Sequence, residues 1–191
     1  VTNTKNDLIA FLSALDKALK YDVSIVCLGG TALTLAGLKG VSHDVDVIVR
    51  DKDREKLEKE RFEHFSKLYD TIAKQLAIIE GEHGPFPDFD MSLLEMEDFA
   101  IRAHQYQELQ LKHINILLMD INDIVLSKLN RSMKRDIDDI KKLIASGILS
   151  KGQLTQRFYQ LMRQQEDLEI RKNFVGKVET FLQKFGSKLK Q

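Results

Sequence analysis

Residues 27–50 read CLGGTALTLAGLKGVSHDVDVIVR, and the folding of this stretch decides how the rest of the chain is organised. The β-branched run Val23–Leu28 stops at Gly29-Gly30, the pattern of a buried strand closed by a glycine turn. Thr31 is placed as the N-cap of a short helix, ALTLAGL, that stops near Gly37 or Gly40. The next strand, Asp44–Val49, alternates in character. Its valines Val45, Val47 and Val49 take one face, and Asp44 and Asp46 share the other, about 6.5–7 Å apart along the backbone.

Two aligned carboxylates on a strand fit an exposed edge or a metal site. A hard divalent cation such as Mg²⁺ takes oxygen ligands, commonly one or two carboxylates completed by substrate phosphates. Two acids on one face can hold a cation pair roughly 3.5–4 Å apart, as in-line phosphoryl chemistry requires. The Gly-Gly-Thr element reads either as a tight turn or as a phosphate cradle. In the second case, free backbone N–H groups at a helix start, with the positive end of its dipole, receive an anion. Glycine lets the backbone come close, and the Thr31 hydroxyl adds a donor.

Outward from this stretch, Asn6–Lys20 and Asp51–Ile79 carry helical apolar periods, the latter with Leu57, Phe62, Phe65, Leu68, Ile72 and Leu76 inward. Glu80–Asp88, with both prolines, is a loop. Strand-like segments follow at Phe89–Leu94, Phe99–His104, Glu108–Leu111 and Ile114–Met119. From Asp120 the pattern is helical, with a capping aspartate at the start, a C′ glycine at Gly147 and a capping-box spacing at Ser150–Gln153. The expected fold class is α+β, a mixed sheet flanked by helices over 1–119 and a helical C-terminal part over 120–191.

Composition sets outer bounds. The 191 residues carry 29 basic and 29 acidic side chains, so no whole-molecule field favours nucleic acid or membrane. Residues 151–191 carry nine Lys/Arg against four Asp/Glu, a mild basic tilt. A single cysteine, Cys27, excludes an internal disulfide and packs as a small hydrophobe. No apolar run approaches the roughly 20 residues of a membrane span, and no signal-peptide pattern opens the chain, so a cytoplasmic protein is expected. The five histidines show no metal-ligand spacing, and the glycines form neither a Walker loop nor a dinucleotide fingerprint.

Gly29-Gly30-Thr31, twelve further residues, and Asp44-Val45-Asp46 followed by apolar positions resemble the signature of the polymerase-beta-type nucleotidyltransferase superfamily. Ser42-His43 stands where many members have Thr-x before the first Asp, and Lys39 falls near a common arginine, keeping the charge without the planar fork. The resemblance implies a third carboxylate on a neighbouring strand. Asp90 in DFDMSLL is the best match and Asp88, on the same face by alternation, is the rival. The stretch Asp120–Ile144 is similar to the helix pair of small nucleotidyltransferases near the abortive-infection toxin group, through Asp123, Lys128, Arg131, Lys134, Asp136 and Asp139. That frame implies that Lys128, with Arg131, meets a triphosphate while Asp136 orients the basic residues. A salt-bridged amphipathic helix pair would give the same pattern. The resemblance covers about residues 20–145.

The implied function is a nucleotidyltransferase that uses Mg²⁺ or Mn²⁺ to move a nucleoside monophosphate from ATP or another NTP to a hydroxyl. The acceptor would be an RNA 3′ end, a protein or a small molecule, in a context related to toxin–antitoxin systems. Asp44, Asp46 and Asp90 would be the metal-binding and catalytic acids, and Gly29, Gly30, Thr31, Lys128 and Arg131 the nucleotide-binding residues. No membrane association is expected, and an oligomer is compatible with the chain. The alternative is a catalytically silent nucleotide- or protein-binding module, an antitoxin-like partner. The basic terminal helices and the apolar face of FVGKVETFLQKF motivate it.

Overall fold

A computed structural model describes residues 2–50, 59–78, 98–164 and 166–190. The described residues form two compact units, one from residues up to 78 with Ala100–Met119, the other from 98–99 with residues 120–190. The first unit is α+β. Its strands are β1 (Asn3–Thr4), β2 (Val23–Cys27), β3 (Val41–Ser42), β4 (Val47–Val49), β5 (His104–Gln105) and β6 (Ile114–Leu118). Its helices are α1 (Lys5–Ala18), α2 (Gly29–Leu35), α3 (Lys59–Gln75) and the one-turn α4 (Phe99–Arg102), whose first residue is counted with the second unit.

The principal sheet has the order β4-β2-β6-β5. Strand β2 runs antiparallel to β4 and parallel to β6, and β5 closes the other side antiparallel to β6, so the sheet is mixed. A strand paired on both sides is expected to be apolar on both faces, and Ile25, Val26 and Cys27 are all buried. Burial pushes the Cys27 thiol up to about 12, which makes it an inert packing residue. Helix α1 starts at a reciprocal Thr4–Asp7 capping box and buries Leu8, Phe11, Leu12 and Leu15, one helical stripe.

Asp16, on the last turns of α1, accepts the backbone N–H groups of Lys112 (3.1 Å), His113 (2.6 Å) and Ile114 (2.9 Å). This carboxylate therefore anchors the start of β6. Two of the expected strands are absent. Around Glu108–Leu111 there is no strand, because the segment leads into amides bonded to a side chain rather than to a ladder. Phe99–His104 is not a strand either. Phe99–Arg102 form one helical turn, and β-pairing begins only at His104 and continues through the Tyr106 N–H to Ile116 O (2.9 Å). Leu76, expected on the inner face of α3, is 43% exposed, since the helix ends at Gln75 and Ala77 takes a left-handed φ of 52°. Phe65 and Ile72 are buried as expected. Phe89–Leu94, Glu80–Asp88 and the stretch before Lys59 lie outside the described residues.

The second unit is helical, with α5 (Ile121–Arg131), α6 (Lys134–Ala145), α7 (Lys151–Gln164) and α8 (Leu168–Phe185), followed by a 3₁₀ turn at Gly186–Lys188. Asp120 caps α5 through the Asn122 N–H (2.9 Å), and Asp167 caps α8 through the N–H groups of Glu169 and Ile170. Helix α5 ends where Ser132 turns left-handed at φ 56°, and α6 is followed by Gly147 at φ 69°. Phe158, Leu161, Phe174, Val178 and Phe181 pack the interior of this unit. Among the described residues no helix is long and apolar enough to cross a membrane.

Candidate functional site

The alternation expected for Asp44–Val49 is present, although regular strand covers only Val47–Val49. Val45, Val47 and Val49 are buried while Asp44, Asp46 and Ile48 are half-buried, so the two carboxylates share the more open face. The strand is shorter than expected because its first peptide groups bond a side chain. Thr31 Oγ1 accepts the Asp46 N–H at 2.9 Å and donates to the Asp44 carbonyl at 3.2 Å.

Two further bonds hold the same three residues. The Leu28 N–H donates to Asp46 O at 2.9 Å, and the buried Tyr69 hydroxyl of α3 donates to Val45 O at 3.0 Å. The Tyr69 ring in turn stands edge-on against Phe11 of α1, with centroids 4.9 Å apart. The Asp44–Asp46 backbone is thus tied to β2, α2 and α3 together. Side chains projecting from so constrained a backbone are placed before any ligand arrives.

The glycine turn differs from its sequence reading in one respect. The N-cap of α2 is Leu28, not Thr31, and makes no side-chain cap bond. Gly29 has φ 42°, a left-handed conformation that lets the chain pass from strand to helix within one residue. Thr31 therefore falls inside the first turn, buried, and its hydroxyl is taken by the Asp44 and Asp46 backbone. Gly30 is needed for a different reason. A Cβ there would stand 2.8 Å from Ser42 Oγ and 3.6 Å from Lys39 Nζ. A Cβ on Gly29 would meet only Asp46 Oδ2, at 4.0 Å. The turn, one acid and one lysine thus occupy a single neighbourhood.

Among the described residues Ser42 Oγ is buried without a hydrogen-bond partner, as are Thr34 Oγ1 and Asn122 Oδ1. Among the described residues there is no cluster of three or more His, Cys, Asp or Glu side chains suited to a metal. Asp88 and Asp90, the alternatives for a third acid, lie outside the described residues.

Lys128 and Arg131 belong to the helical unit, where they converge on one acid. Lys128 Nζ lies 3.1 Å from Asp136 Oδ1 and 2.9 Å from Asp139 Oδ2, with the lysine side chain 5% exposed. Arg131 adds a two-pronged contact to Asp136, Nη2 to Oδ1 at 2.8 Å and Nε to Oδ2 at 3.3 Å, while its own side chain stays 45% exposed. Burial works against the Asp136 charge, but the Arg131 hydrogen bonds and the Lys128 and Arg131 charges prevail and hold its carboxyl below the usual range. Asp123 meets the buried Arg157, which also pairs with Asp98.

Sequence reasoning missed Tyr69 and weighed Ser42 and Lys39 only by their place in a family pattern. Nothing in the order of residues says that a tyrosine 24 positions after Val45 supports its carbonyl. The proximity of Lys39 to the turn does have a local signal, its place in the short connection between α2 and β3.

A family model described as nucleotidyltransferase of unknown function (DUF6036) matches residues 6–185 of the chain. No curated protein and no solved structure matches it.

Proposed function

We propose, from the premise that this chain belongs to that family of nucleotidyltransferases of unknown function, that it transfers a nucleoside monophosphate from ATP or another NTP to a hydroxyl acceptor. The observation that carries this reading is the Asp44–Asp46 pair, two carboxylates on one half-open face of a backbone held by Thr31 and Tyr69, with Asp46 beside the Gly29 turn.

The donor set fits Mg²⁺ or Mn²⁺, since two aligned carboxylates supply hard oxygen ligands and leave positions for phosphate oxygens. Asp44 and Asp46 would hold the cations, and Asp90 would be the third acid by resemblance. Bound there, a divalent ion would neutralise charge developing on the phosphates. The chain's own residues position the reactants. The N–H groups of Gly29 and Gly30 receive β- and γ-phosphate oxygens, and Lys39 places a cation beside them. Thr31 keeps the acids and the turn in fixed relation. The carboxylate assigned by resemblance to Asp90 would take the acceptor proton as the acceptor oxygen bonds the α-phosphorus. The bond to the β-phosphate breaks, and pyrophosphate leaves. Lys128 and Arg131 are assigned to the triphosphate by resemblance. Within the helical unit the two meet on Asp136, and the Arg131 side chain stays 45% exposed.

The acceptor is an RNA 3′ end, a protein or a small molecule in the cytoplasm, and a toxin role follows if transfer disables it. Incubation with α-labelled NTPs, Mg²⁺ and each acceptor class tests the reading, and growth on expression tests toxicity. Transfer by the wild type and none by Asp44→Ala/Asp46→Ala is expected. Equal transfer by the double variant overturns the metal role. Absence of any Mg²⁺-dependent nucleotide binding by calorimetry favours a catalytically silent module instead.

A further inference from the structure

The helical unit carries a second feature that the transfer reaction does not use. Between α8 and the end of α5 lies an open cavity of about 600 Å³. Its apolar floor is made by Leu129, Ile137, Phe181 and Phe185. On α8 the lining residues recur at 173, 176, 177, 180, 181 and 184, one stripe down the helix. That stripe flanks the one through which Phe174 and Val178 pack into the unit. Helix α8 thus presents two adjacent faces, one covered by its own unit and one bordering the groove. The lined stretch runs from Lys172 to Phe185, about 20 Å at 1.5 Å per residue.

Charge identifies the occupant. Lys172, Lys177 and Lys184 line the groove, Lys177 with its Nζ on the Asn130 carbonyl, and among the described residues no acidic side chain does. Lys184 and Lys188 lie over the Phe185 ring, 5.5 and 5.9 Å from its centroid, which gathers cations at one end of the apolar floor. Leu168–Lys190 as a whole holds six Lys/Arg against two Glu. An apolar trough with a lysine rim is complementary to a helix that is apolar on one side and acidic at its flanks. Three lysines alone would serve a phosphate backbone, but phosphates gain nothing from an apolar floor.

Gly176 supplies an independent observation. It sits in the interior of α8, where glycine is among the weakest helix formers. Among the described residues a Cβ at this position would meet nothing within 4 Å, so their packing does not require its absence. The missing side chain instead leaves the groove floor open beside the α8 backbone, which allows close approach of another element.

We propose that the groove between α5 and α8 docks an acidic amphipathic helix of a separate protein, with the lysines setting its orientation and the apolar floor taking its anchor residues. The test uses the full chain and a fluorescein-labelled helical peptide of about 18 residues, with leucines at helical spacing and glutamates flanking them. Two controls share its length, a scramble of the same composition and a version with lysine for glutamate. Fluorescence anisotropy is expected to show the acidic peptide binding at least about tenfold tighter than either control.

Gly176→Leu fills the groove from a position with open space around it, so it is expected to weaken binding at least tenfold without lowering the melting temperature. Lys172→Glu/Lys184→Glu is expected to weaken it as well. Equal binding of the scramble or of the lysine peptide overturns the proposal, as does unchanged binding by Gly176→Leu. Binding of single-stranded RNA or anionic vesicles that Gly176→Leu abolishes overturns it in favour of those partners. A dimer in sedimentation that Gly176→Leu dissociates assigns the groove to a second copy of the chain and overturns it too.

Discussion

The Thr31 hydroxyl lies 2.9 Å from the Asp46 backbone nitrogen, and through this bond the helix after the glycine turn holds the strand that carries the acids. The same oxygen donates to Asp44 O, so Thr31→Val removes both bonds while keeping the shape of the side chain. We expect a loss of about 1–3 kcal/mol in urea unfolding, because two part-buried peptide groups lose their hydroxyl partner. Transfer activity should fall by about tenfold or more, since small displacements of a catalytic group are costly. Thr31→Ser retains the hydroxyl and should restore both. Full activity in the valine variant would show that the acids do not depend on this tether.

Asp44→Asn and Asp46→Asn preserve size and remove charge. With Mn²⁺ and a non-hydrolysable NTP at about 100 times the dissociation constant, the wild type should gain about 2.7 kcal/mol. Each variant should lose most of that gain. A ligand-induced shift of the wild-type size in both variants would remove the acids from the binding site.

The Lys128 ammonium is shared by Asp136 and Asp139 in an almost fully buried cluster. Lys128→Met takes the buried ammonium away from Asp136 and Asp139, leaving Arg131 on Asp136, and should destabilise the chain by about 3–5 kcal/mol in denaturant unfolding. A loss below about 1 kcal/mol, combined with a raised KM for NTP, would instead place Lys128 mainly on the nucleotide.

Acid should weaken the fold through Asp16. Burial works against its charge, but the N–H groups of His113, Lys112 and Ile114 outweigh that and hold the carboxyl below its ordinary 3.8. A group depressed in the folded state contributes stability in full above its unfolded pKa and loses it as pH falls through the folded one. Asp136, depressed by its basic partners, has the same sign. Unfolding free energy should therefore be level from pH 7 to 5 and drop below about pH 4. Asp16→Asn should lower the plateau by about 1–3 kcal/mol and flatten the acid limb. An acid limb as steep as that of the wild type would assign the pH dependence to other carboxylates.

Local pattern carried much of the fold. The β-branched run before Gly29, the helical periods and the caps at Asp120 and Gly147 depend on neighbours within a few residues, and their physics is written in the order of side chains. The shared face of Asp44 and Asp46 was legible for the same reason, since alternation is a property of extended backbone. Around Glu108–Leu111 the expected strand gives way to a segment that leads into amides held by Asp16, nearly a hundred residues away in sequence, and Phe99–Arg102 turns helical rather than extended.

By itself, then, the sequence determined which segments turn helical or extended, and that two acids follow a glycine turn by one short helix. Only the tertiary structure decided that Thr31 supports those acids from inside the helix rather than capping it. It also decided that Tyr69 holds the peptide between them and that Lys128 is enclosed by carboxylates. These contacts join residues distant along the chain, and their strength depends on burial, which exists only once the elements have packed.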